Sequence, residues 1–122
     1  MIALDLPHPI IFLYDADNGQ MEIPEYVDGK TIASNRTCVS VGTQASVDGP
    51  VTLRLVKKAP KEIVESFIQI FEGVIDSPKK TLSIFTSEGA SALEINVRTN
   101  HPNIIVWVDN IDVPGSVCIE AN

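Results

Sequence analysis

Two short acidic segments are where this chain could do chemistry. Asp15-Ala16-Asp17-Asn18-Gly19 and Asp109-Asn110-Ile111-Asp112 each set carboxylates among turn-forming residues. Carboxylate and carbonyl oxygens are the ligands that a hard cation such as calcium selects. The first segment fails the EF-hand pattern: its glycine comes one position early, and no bidentate Glu occupies the twelfth place. Acidic loops at one end of a β-sandwich could still hold calcium between them, with Asp15, Asp17, Asp109 and Asp112 as ligands. The competing reading is turn formation, because Asp and Asn side chains bond readily to backbone two residues on.

The remaining chemistry-bearing residues fit no recognised arrangement. His8 and His101 are the two histidines, both precede prolines, and neither is spaced with a cysteine as a zinc site requires. Ser87-Glu88-Gly89 is not a nucleophile elbow, and Val41-Gly42-Thr43 lacks the lysine of a phosphate loop. Asn35-Arg36-Thr37 matches the glycosylation sequon, which matters only in a secreted protein. A carboxylate pair for sugar hydrolysis could converge from any loops, so sixteen acids single out no pair. An enzyme is the less favoured class, and no cofactor is expected.

Composition narrows the partners. Sixteen acidic and nine basic side chains leave a net charge of −7, which repels nucleic acid and anionic membrane surfaces and favours a basic protein. The densest acidic segment is the first third, with Asp15, Asp17, Glu22, Glu25 and Asp28 against the single basic residue Lys30 in the first 35 positions. The longest apolar run, Ile104 to Val108, is far short of the ~20 residues a membrane helix needs. The start, Met1-Ile2-Ala3-Leu4-Asp5, lacks the pattern of a secretory signal, so a cytoplasmic protein is expected. Cys38 and Cys118 are too few for a disulfide framework and read as buried free thiols. A bridge between them would require neighbouring strands, with Cα atoms within ~7 Å.

The elements that must position these residues are strands. In Val51-Thr52-Leu53-Arg54-Leu55 apolar and polar residues alternate, the period of a strand with one face on a core. Ile10 to Tyr14, Thr37 to Val41, Thr81 to Phe85, Leu93 to Arg98, Ile104 to Val108 and Ser116 to Glu120 are further strands by pattern. Asn18-Gly19 predicts a tight hairpin joining Ile10–Tyr14 to Met21-Glu22-Ile23. Trp107, in an all-apolar run, is expected to anchor the core and give its indole N–H to an acceptor.

Residues 60–76 fit two periods. At 3.6 residues per turn Ile63, Val64, Phe67, Ile68, Ile70, Phe71, Val74 and Ile75 share one side, and Pro60 suits a helix start. Six β-branched residues and Gly73 argue instead for a strand from Phe67 to Ile75, turning through Asp76–Lys80 into Thr81. The strand is preferred because its neighbours are strands, with a helix at about 61–75 as the alternative. The expected fold is therefore one all-β domain over residues 1–122, an antiparallel β-sandwich of jelly-roll type, and α+β if that helix forms.

The segment Phe71-Glu72-Gly73-Val74-Ile75, the turn, Thr81-Leu82-Ser83-Ile84, Leu93-Glu94-Ile95-Asn96-Val97 and Ile105-Val106-Trp107-Val108 resemble in rhythm the competence protein J family. These are small cytoplasmic β-sandwich proteins that inhibit a DNA-entry nuclease. The resemblance covers a little under half the chain and carries over no individual site residue. It implies a stand-alone acidic module that covers the cationic face of a nuclease. The expected function is thus non-enzymatic protein binding by occlusion, with Asp15, Asp17, Glu22, Glu25 and Asp28 as contacts. Calcium or small-ligand binding is the alternative, and open sheet edges leave a homodimer in view.

Overall fold

The computed structural model describes residues 1–122 as ten strands, one short α-helix and one 3-10 turn at Ser46–Asp48. The strands are β1 (Ile2–Leu4), β2 (Ile10–Tyr14), β3 (Ile32–Ser34), β4 (Cys38–Gly42) and β5 (Val51–Val56), then β6 (Ile68–Val74), β7 (Thr81–Thr86), β8 (Ser91–Asn96), β9 (Asn103–Val108) and β10 (Ser116–Ala121). The helix α1 (Lys61–Ser66) lies between β5 and β6. One sheet has the order β1-β5-β10-β9-β6 and the other β3-β4-β2-β7-β8. No helix is long and apolar enough to cross a membrane.

Alternation does what the pattern predicts in both sheets. Val51 and Leu53 of β5, Ile11 and Leu13 of β2, and Ile104, Val106 and Val108 of β9 are buried, while their chain neighbours are less so. These side chains belong to a single cluster of 17 buried residues that draws on both sheets. Each such Val, Leu or Ile contributes about 2 kcal/mol by leaving water. Each sheet also has a partly covered outer face. On one, Tyr14 stacks on Phe85 with ring centroids 4.3 Å apart; on the other, Ala59 and Ile63 pack with Cys118 and Trp107.

Several expectations are corrected. The pairing is not wholly antiparallel: β10 lies parallel to β5, with Cys118 opposite Arg54. Asn18-Gly19 does not close a hairpin, and residues 21–23 form no strand; β2 pairs instead with β4 and β7. The turn at residues 15–18 feeds a long irregular segment, and Asp15 at its start is drawn inward.

The ambiguous stretch divides between its two periods. Helix α1 ends after Ser66, with Phe67 already extended, and β6 follows as an edge strand on β9. No side chain caps the helix start, so little but Ile63 holds it. Gly73 fits the strand because a Cβ there would come within 2.8 Å of the Phe71 ring. Residues 76–80 do not turn β6 back on itself; they carry the chain from one sheet to the other, where β7 pairs with β2 and β8.

Trp107 lies on the outer face beneath α1, not in the main core, and its buried Nε1 has no hydrogen-bond acceptor. In the same row across β5, β10 and β9, Arg54 Nε is also buried and unpartnered. Cys38 and Cys118 are free and occupy different sheets. Burial pushes the Cys38 thiol up to about 12. It pushes Cys118 up to about 11, with Arg54 opposing and Glu120 assisting. Both are neutral thiols near pH 7 and poor nucleophiles.

Candidate functional site

Strand direction sorts the loops into two ends. Tyr14 ends β2 where β9 begins, and the link is direct: Ser77 donates its hydroxyl to Asp15 Oδ2 and its backbone N–H to the Asn100 carbonyl. Residues 109–114 lie at the far end of β9, roughly 20 Å away at ~3.3 Å per strand residue.

At the first end, Asp15 is only 1 % exposed. Its carboxylate accepts from Asp17 N–H, Ser77 Oγ–H and Lys79 N–H at 2.8–2.9 Å. It is a structural acceptor that ties two turns together, its own and the one at residues 77–80, and nothing outside can reach it. Asn35 performs the same task nearby, its Oδ1 accepting from Thr37 and Cys38 N–H and its amide donating to the Glu22 carbonyl.

Over these anchors lies a cleft of about 680 Å³ with no hydrophobic residue in its lining. Asp76 organises one wall, with Oδ2 3.4 Å from Arg36 and Oδ1 3.1 Å from His101 Nδ1. Its own N–H donates to the Arg36 carbonyl, which fixes the carboxylate between the two partners. Gln20, Glu22 and Asn100 complete the working surface.

The opposite end is built from two irregular segments. The Thr31 hydroxyl donates to the Ile111 carbonyl, and Gln44 N–H donates to the Pro114 carbonyl. Asp109 Oδ1 accepts from Gly115 and Ser116 N–H, and Asn110 Oδ1 from Asp112 and Val113 N–H, so these two are turn caps. A groove of about 570 Å³ there is lined by Tyr26, Asp28, Lys30 and Asp112 among others. Tyr26 is 70 % exposed and Ile111 52 %, with Val27 and Val113 also exposed.

The predicted residues are therefore scattered. Asp15 is internal, Asp17 and Glu25 are exposed, Glu22 lines the polar cleft, and Asp28 lines the groove at the other end. The four acids considered for calcium fall into two pairs at opposite ends, and no group of three or more His, Cys, Asp or Glu side chains is arranged to hold a metal. Sequence reading missed Arg36, Asp76 and His101, which are far apart in the chain and each look like turn or surface residues. It also missed Tyr26 and Ile111; their one signal is apolar character inside loop-like stretches.

No family model, no curated protein and no solved structure matches this chain.

Proposed function

We propose that this protein is a non-enzymatic binding module that docks a basic protein through the groove lined by residues 26–31 and Asp112. The reading takes the two sheets as the layers of a β-sandwich, because one buried cluster draws on both. A jelly roll is the expected connectivity, and the parallel β5–β10 pair is a departure from it. The observation that carries the docking proposal is the meeting of Asp28 and Asp112 on one groove, beside exposed Tyr26 and Ile111. Tyrosine is a residue type enriched in interface hot spots, and the two carboxylates complement a Lys- or Arg-bearing surface, with Lys30 as the one cation in the lining. A net charge of −7 adds steering toward such a partner.

Occlusion is the mechanism this implies. Carboxylates at the groove imitate phosphates and cover the cationic face of a nuclease or toxin, as the resemblance to the competence protein J family implies. The proposed compartment is the cytoplasm. Calcium binding is less well supported, since its four acids lie at opposite ends.

The test is affinity capture at low salt with the wild type, Tyr26→Ala and the Asp28→Asn/Asp112→Asn double variant. The expected result is a basic partner retained by the wild type and released by salt. Loss of Tyr26 should weaken binding about thirtyfold, the effect of a hot spot worth ~2 kcal/mol. A partner held equally by all three proteins, or one indifferent to ionic strength, would falsify the proposal.

A further inference from the structure

The polar cleft at the end where β2 finishes and β9 begins is separate from the docking groove, and its free hydrogen-bonding groups define a ligand chemistry. Asn35, Thr37 and Asp15 spend their polar atoms on the protein itself. Other side chains there do not. The Gln20 amide, the Glu22 carboxylate, Asn18 Nδ2, Asn100 Oδ1 and His101 Nε2 make no hydrogen bond within the protein. Arg36 is 86 % exposed and pairs only with Asp76. Donors and acceptors thus line one space.

Two classes of ligand fit poorly. With no hydrophobic residue in the lining, nothing there would cover a lipid chain. Charge disfavours a phosphate ester, because the guanidinium of Arg36 is already paired with Asp76 and a second carboxylate, Glu22, lines the same cleft. An uncharged ligand whose groups each donate and accept matches the set. Hydroxyl groups do this, and adjacent hydroxyls suit side-chain amides and a guanidinium fork.

We propose that this cleft binds a neutral carbohydrate, with Gln20, Glu22, Arg36 and Asn100 bonding its hydroxyls. Asp76 and His101 act as positioning residues: the carboxylate holds Arg36 from one oxygen and the imidazole from the other. The cleft volume of about 680 Å³ falls within the ~300–1,000 Å³ typical of small-molecule sites.

Saturation-transfer and amide-shift NMR with the methyl glycosides of glucose, galactose and mannose test this directly. The expected result is saturation transfer from at least one glycoside, with shifts at the Gln20 and Asn100 side-chain amides. Gln20→Ala, an exposed position whose side chain makes no hydrogen bond, should weaken binding about tenfold, equivalent to ~1.4 kcal/mol. Glu88→Gln, exposed after β7 and outside both cavities, should bind like the wild type. Inorganic phosphate should shift none of these resonances. The assignment is overturned by silence from all three glycosides, by binding unchanged in Gln20→Ala, or by phosphate competing for the cleft.

Discussion

The two ends of the sheets are built from similar residues and differ in where those residues spend their hydrogen bonds. At one end Asp15 and Asn35 spend their acceptors on neighbouring groups, Asp15 joining the turn at 15–18 to that at 77–80 and Asn35 closing the turn at 35–38. The cleft therefore lies over a polar floor that the protein itself satisfies. At the other, Asp109 and Asn110 close their own local turns, while Asp28, Asp112, Tyr26 and Ile111 are left exposed or on the groove. An acid is structural where neighbouring N–H groups converge on it and available where they do not. Residue type alone does not say which.

Mutations at the inward anchors should separate the ends most sharply. Asp15→Ala leaves the Ser77 hydroxyl and the Lys79 N–H without their acceptor in a buried site. We expect a loss of about 3 kcal/mol, read as a lowered urea midpoint with an unchanged slope. A loss comparable to that of Asp28→Ala would break the comparison. Asn35→Ala removes an acceptor shared by two backbone N–H groups, and the expected cost is about 2 kcal/mol in the same experiment.

Smaller effects sharpen the contrast. Asp28→Ala and Asp112→Ala should each stay within about 0.5 kcal/mol of the wild type, as exposed positions do. Arg36→Ala should also cost less than ~1 kcal/mol, because its pair with Asp76 is open to solvent. A larger loss would mean that Asp76 depends on Arg36 for its position.

A pH series gives an independent check on the layers. The Cys38 thiol titrates at about 12 in the folded protein against 9.0 ordinarily, because burial disfavours the thiolate. Its contribution to stability is fully present below pH 9 and is lost as pH rises through the folded value. Urea midpoints should therefore fall between pH 9 and 12, and less steeply in Cys38→Ala. An identical slope in the variant would show that this thiol is not buried.

Much of the architecture was legible in the residues. Val51-Thr52-Leu53 and Ile104 to Val108 announce strands because side chains on extended backbone alternate faces, and burial of one face follows from composition alone. The hairpin at Asn18-Gly19 was misread because its dipeptide signal is local, whereas β2 finds its partners 24 or more residues further along the chain. Trp107 was assigned to the main core because a run of apolar residues does not reveal which face meets the other sheet and which meets α1.

The sequence by itself determined an acidic, mostly β chain whose strands each carry one apolar face. Only the tertiary structure decided that β5 and β10 run parallel, that residues 60–76 divide at Phe67, and that Arg36, Asp76 and His101 meet. The reason is range. Side-chain period and turn preference act over a few residues, whereas strand partners and loop convergence are chosen by the joint burial of surfaces distant in the chain.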